Sequence, residues 1–402
     1  MARVTAQQRY TARRHRIAAL LAVVALGAAA CTSAPDRQSA PASTSAAPAK
    51  AASIAIEPAS TDPVSPATPV VVRAADAALT SVTVTNTATG KQVSGRTTPD
   101  KRTWTASEPL AYGASYQVKA DATTPGGTPL EQTGSVRTLQ PRVQAFPSFI
   151  PAPNVSDVGV GQPLVVKFDQ DVADRAAAEK ALQVNANPPQ PGGWYWLSKR
   201  EVHYRPQNYW QPGSTVTVTA KVYGVNLGNG VYGQTDRAET LKIHDSWIAK
   251  ADGKTEKLQI FHNGQLVNTM PMSLGSPGFP THEGTHVVSD KQPSIIMDSC
   301  TYGVCKGQPG YYREQVALDE RISNDGEFVH SAPWSVGQQG NSNVSHGCVN
   351  LAPADAQWFY DRFGLGDVVE ITNSGGSALP IWDTYGDWAA SWPQWQAGSA
   401  LH

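Results

Sequence analysis

The chain has 402 residues, with 32 basic and 33 acidic side chains and a formal net charge of −1. At roughly 150 residues per domain, that length calls for two to four domains. Without the first 31 residues the balance is 27 basic against 33 acidic groups. No basic stripe remains, which excludes a nucleic-acid-binding surface.

Residues 1–31 read as a signal segment. Arg3, Arg9, Arg13, Arg14 and Arg16 precede the apolar run Ile17 to Ala30, which has 14 residues and is shorter than the ~18 needed to span a bilayer. The run ends in Ala28-Ala29-Ala30-Cys31. Small residues before a cysteine resemble a lipobox, which makes Cys31 the lipidation site; the same alanines also form an A-x-A cleavage site. The lipid anchor is the favoured reading, and either route exports the chain to the outer face of the plasma membrane. Residues 32–51 are Ala, Ser, Thr and Pro with polar groups, so they form a flexible tether.

From 52 to 140 short β-type runs alternate with turn signals, as in Ser81 to Thr85 and Tyr116-Gln117-Val118. This pattern predicts an immunoglobulin-like β-sandwich. A second sandwich is expected over 145–246, with strands at Leu164 to Phe168, Trp194 to Leu197, Val202 to Arg205 and Thr215 to Val222, and a short helix near 174–181. Its aromatics Trp194, Tyr195, Trp196, Tyr209 and Trp210 suit a sugar-binding face, but core packing is the stronger reading. Both modules are read as spacers. Residues 247–372 are again strand-rich, with one helix that opens at Pro353 and closes before Gly364. The piece 373–402 holds Trp382, Trp388, Trp392 and Trp395, and is expected to fold back onto the preceding domain.

Chemistry concentrates in the third region. If Cys31 is lipidated, Cys300, Cys305 and Cys348 remain, and the first two are close enough to pair across a turn. Cys348 is then a free thiol in an exported protein. His330 closes an apolar run, and after fourteen residues comes Ser345-His346-Gly347-Cys348-Val349-Asn350. A thiol attacks an amide as thiolate, so it needs a histidine to take its proton and donors for the oxyanion. His330 and Cys348 meet that need. His262, His282 and His286 are assigned to the surface or to loops, because Gly284 argues against a helix that would pair the last two.

This histidine-to-cysteine pattern resembles the signature of the L,D-transpeptidase (YkuD-like) catalytic domain. The likeness extends to Ile295-Ile296-Met297-Asp298, Tyr302-Gly303, Tyr311-Tyr312-Arg313 and the Trp-rich end. The paired sandwiches are similar to those of envelope-anchored lipoproteins of the family in actinobacteria. The resemblance implies a mainly β fold: two immunoglobulin-like sandwiches, a β-rich catalytic domain with one main helix, and a Trp-rich C-terminal subdomain. It implies Cys348 as nucleophile, His330 as general base, and the Ser331 carbonyl as the group that orients the imidazole. Gly347 and Cys348 amides with Tyr312 would hold the oxyanion. Ser345, His346 and Asn350 would shape the pocket, and Met297, Tyr302 and Trp334 would line the channel under a lid. The implied substrates are peptidoglycan stem peptides: a donor tetrapeptide and the diaminopimelate amine of an acceptor. Carbapenem β-lactams are the implied inhibitors, and no cofactor or metal is expected.

Cys300 and Cys305 depart from the family pattern and leave the mobility of the lid open. Two other readings stand beside the transpeptidase. One is an L,D-carboxypeptidase on the same scaffold. The other is a non-catalytic wall-binding protein, stabilised by zinc on Cys300, Cys305, His330, His346 and Cys348.

Overall fold

A computed structural model describes residues 51–155 and 157–401. The signal segment and Cys31 lie outside the described residues, as does the Tyr302 side chain.

The first sandwich faces a four-stranded sheet (Ser53–Glu57, Val71–Ala75, Thr103–Ala106, Gly95–Thr97) with a three-stranded one (Ala78–Asn86, Ser115–Thr123, Pro129–Arg137). Successive strand residues point to opposite faces, so Tyr116, Val118, Ala120 and Ala122 turn inward while the residues between them meet water. The second sandwich repeats the plan. Leu182–Asn187, Thr215–Ala220, Arg237–Ile243 and Asp157–Val158 form one sheet, and Pro147–Ile150, Leu164–Phe168, Glu201–Pro206 and Gly192–Trp196 form the other. The short helix is Arg175–Lys180, capped by the Asp174 side chain, which accepts from the Ala177 amide. Trp194, Trp196 and Trp210 are buried in this core, as the packing reading requires.

In the third region a five-stranded sheet (Gln265–Pro271, Lys257–His262, Trp247–Asp252, Val368–Thr372, Gly284–Val287) packs near a four-stranded sheet that carries the motif. The latter runs Asp290–Asp298, Arg313–Arg321, Phe328–Ser331, Val349–Leu351. The helix is Pro353–Tyr360, so it stops short of Gly364. Its last turn tightens where the Arg362 amide reaches back to the Phe359 carbonyl. Ala356, Phe359 and Phe363 are buried together, and the two Phe rings stack at 3.9 Å.

The C-terminal segment folds back onto the catalytic domain as expected: Glu283 pairs with Ala378, and Asp383 Oδ1 accepts from the Asn324 amide. Its Trp rings dock on the second sandwich as well, where Arg205, only 2% exposed, forms the anchor. Its guanidinium lies 4.6 Å from the Trp388 ring and 4.5 Å from the Trp395 ring. It also donates to the carbonyls of Asp387 and Ala390. Trp388 donates to the Gly161 carbonyl, Trp395 to that of Gly193, and Tyr195 stacks on Trp395. The indole N–H groups find their partners on the sandwich, so that is where the rings go. Trp382 is 70% exposed and takes no part in this docking.

The spacer reading of the second sandwich fails for the same reason. Val368, from the catalytic sheet, packs in the sandwich core, and the Gly159 and Gly161 amides donate to the carbonyls of Leu365 and Gly366. From Ala51 onward the chain is one compact unit.

Candidate active site

Strands Phe328–Ser331 and Val349–Leu351 pair in parallel, with His330 opposite Asn350. Cys348 therefore sits at the start of its strand, beside Phe328. The turn that delivers it is held by one hydroxyl: Ser345 Oγ donates to the Cys348 carbonyl at 2.7 Å and accepts from the Gly347 amide at 3.1 Å. Gly347 has φ +120°, which a side chain would strain, and it packs over Glu327. The Gly347 amide donates within the turn, to Ser345 Oγ.

Cys348 is 5% exposed and is the free cysteine among the described residues. It packs with Met297, Val316 and Phe328, and its thiol donates to the Gly326 carbonyl at 3.6 Å. Burial pushes its pKa up to about 12. His330 is also buried, and its Nδ1 donates to the Ser331 carbonyl at 2.9 Å. That bond fixes the tautomer with the proton on Nδ1, and the Asn350 side chain also hydrogen-bonds the imidazole. Burial pulls the imidazole pKa down to about 4. The resting pair is therefore neutral thiol and neutral imidazole.

A pocket of about 260 Å³ brings together the expected residues Met297, Tyr312, His330, Trp334, Ser345, His346, Cys348 and Asn350. Trp334 and His346 form its exposed rim, and His346 lies between Phe279 and Tyr312. Asn350 donates to Ser335 Oγ. A second pocket of about 240 Å³ shares Met297 and Tyr312 and opens on Gly326 and Phe328, the residues that touch the cysteine sulfur. Glu314, Val316, Ser335 and Val344 also line the first pocket. Sequence reasoning missed them because strand neighbours outside a motif carry no signal of their own.

The hairpin Asp290–Asp298/Arg313–Arg321 covers the pocket, with the 3₁₀ turn Ser299–Tyr302 near its tip. A disulfide joins Cys300 to Cys305. The bond closes a loop within the tip and does not tie the tip to the body. Disulfide-bonded sulfurs are not thiolate ligands, so the five-residue zinc set is not assembled.

His282 lies in a loop as expected, but His286 needs correcting. His286 is fully buried, and both imidazoles contact the Glu327 carboxylate beneath Gly347. His262 stacks on Trp247 at 4.1 Å and pairs with Asp245.

Immunoglobulin-like sandwiches ahead of a β-rich domain, with cysteine and histidine in one covered pocket, define the class: an acyl-transfer enzyme. The family model for the L,D-transpeptidase catalytic domain matches residues 246–371, and that for a bacterial Ig domain matches 61–226. L,D-transpeptidase 2 of Mycobacterium tuberculosis (strain CDC 1551 / Oshkosh) is 44% identical over 332 residues, 83% of this chain and 81% of the relative. L,D-transpeptidase 5 of Mycobacterium tuberculosis (strain ATCC 25618 / H37Rv) is 34% identical, over 84% of this chain and 74% of its own length. The solved structure of LD transpeptidase LdtMt1 in complex with imipenem superposes with a TM-score of 0.50 at 34% identity, covering 56% of this chain and 97% of that one. The chain belongs to the L,D-transpeptidase family.

Proposed function

We propose that this enzyme makes 3→3 peptidoglycan cross-links through a thioester on Cys348. One observation carries the reading: the sulfur and the imidazole share a pocket, and His330 Nδ1 is spent on the Ser331 carbonyl, which makes Nε2 the atom to take the thiol proton. The sulfur attacks the diaminopimelate carbonyl of a donor tetrapeptide as Nε2 removes its proton. The C–N bond to D-Ala breaks, the leaving amine collects the proton from the imidazolium, and a thioester remains. The amine of a second diaminopimelate then attacks the thioester, its proton passes through His330 to the departing sulfur, and the free thiol returns. The Cys348 amide and Tyr312 hold the oxyanion in both steps. Met297 and Trp334 border the stem peptide, and Tyr302 belongs to the covering turn. Water in place of the acceptor amine would make the same site an L,D-carboxypeptidase.

The imipenem complex of a relative supports a carbapenem as a ligand of this site. The signal segment supports export, with Cys31 carrying lipid at the outer face of the plasma membrane. Incubating the purified chain with donor and acceptor muropeptides tests the reaction by mass spectrometry. A 3→3 dimer is expected, whereas trimmed tripeptide alone would establish the carboxypeptidase instead.

A further inference from the structure

Behind the Cys348 turn, on the side away from the substrate pocket, four acidic or imidazole side chains converge from separate parts of the chain. His282 Nδ1 lies 3.1 Å from Glu327 Oε1 and 3.4 Å from Asp325 Oδ2. These three atoms lie within 4.8 Å of one another. His286 Nε2 contacts the other oxygen of Glu327 at 3.2 Å. Two carboxylates thus crowd a single nitrogen, and one N–H cannot serve both.

An independent observation points the same way. Asp383, 1% exposed, reaches from the C-terminal segment to Asn324, the neighbour of Asp325 in the chain. Its Oδ1 accepts from the Asn324 amide at 2.8 Å, but Oδ2 is buried without a hydrogen-bond partner among the described residues. Glu327 is served by both imidazoles and the His282 amide, which leaves Asp325 sharing a single N–H and Asp383 Oδ2 unpaired. A buried unpaired carboxyl oxygen is costly unless a proton or a cation meets it.

We propose that His282, Asp325 and Glu327 bind a first-row transition dication of the zinc class. Imidazole nitrogen with carboxylate oxygen suits such an ion, while calcium and magnesium favour oxygen alone. Zinc bonds of about 2.0–2.2 Å place tetrahedral ligand atoms roughly 3.3–3.5 Å apart, near the 3.1 and 3.4 Å found here. His286 holds Glu327 from behind, as an outer-shell group orients a ligand carboxylate. The turn 323–327 is already tight, with the Ser323 hydroxyl bonded to both the Asp325 carboxylate and the Glu327 amide. The ion would pin this turn to the segment around His282, directly under Gly347. Nothing in the transfer chemistry at Cys348 requires it, so the two readings stand or fall separately.

Zinc(II) and cobalt(II), each as its simple salt, are titrated into the full chain after chelator treatment, with no affinity histidines attached. One equivalent should bind at about 10 μM or tighter, and the melting temperature should rise by mass action. Bound cobalt should show visible ligand-field bands without a thiolate charge-transfer band. His282→Ala and Asp325→Asn alter partly exposed groups and should each weaken binding at least about tenfold. Cys348→Ala should bind as the parent does. Absence of binding up to 1 mM metal, binding lost in Cys348→Ala, or binding unchanged in both His282→Ala and Asp325→Asn would each overturn the site.

Discussion

A cysteine with a pKa near 12 beside a histidine near 4 sets a specific pH behaviour. The transferable proton sits on sulfur across the whole range between those values, and the imidazole is neutral and able to accept it. Acylation should therefore be flat from about pH 5 to about pH 9 and fall only as acid charges His330 near pH 4. Attack by a preformed thiolate would instead raise the rate tenfold per pH unit over the plateau. Stopped-flow acylation by a carbapenem across this range separates the two. His330→Ala should slow acylation at least about a hundredfold, and Cys348→Ala should abolish it, with the fold intact in both. Intact-mass analysis should find the full mass of a meropenem-type compound on Cys348 of the parent chain. An adduct that persists in Cys348→Ala would place the reactive group elsewhere. This pair was legible in the sequence because its chemistry lies in a short motif. The carboxylate under Gly347 was not, since Glu327 meets His282 and His286 from over 40 residues away, a closeness only the fold creates.

The docked Trp-rich segment makes a prediction at the level of elements. His203, 1% exposed, bridges Asp387 at 2.7 Å and Glu201 at 3.0 Å. Burial alone would lower its pKa, but Asp387 and then Glu201 hold it up at about 9. A histidine raised from about 6.5 in the unfolded chain contributes stability fully below that pH and loses it as pH rises through 9. Thermal unfolding should therefore occur at a lower temperature at pH 9.5 than at pH 6.5, and Asp387→Asn should remove most of that difference. The same substitution should cost on the order of 3 kcal/mol at pH 6.5, because it leaves a buried charge half-paired. Equal pH dependence in parent and variant would contradict the assignment. Strands such as Ser115–Thr123 and Thr215–Ala220 could be read from alternation alone, since period 2 is written locally. The seat of the Trp rings on the second sandwich could not. Four Trp residues announce burial, but Arg205 and His203, which receive them, are polar residues inside a strand with nothing to mark them as partners.

For the whole molecule, the second sandwich and the catalytic domain form one folding unit rather than spacer and payload. A fragment from Asp245 to the C-terminus would lose Arg205, Gly161 and Gly193 as partners of the Trp rings and expose Val368. That fragment should be insoluble or molten by near-ultraviolet circular dichroism. A fragment from about 141 onward should stay folded and be acylated at the parental rate. Removing residues 374–402 should destabilise the full chain by several kcal/mol, since burying each large aromatic contributes about 1.5–3 kcal/mol. A cooperative, soluble fragment beginning at Asp245 would restore the spacer reading. The central claim, acyl transfer through one sulfur, is tested most directly by trapping the intermediate on the full chain. The chain is mixed with donor tetrapeptide alone, quenched in acid and digested for peptide mass analysis. The account predicts the stem-tripeptide acyl group on the peptide containing Cys348, with one D-Ala released per adduct and no adduct in Cys348→Ala. An acyl group on any other residue, or the same adduct in Cys348→Ala, would contradict it.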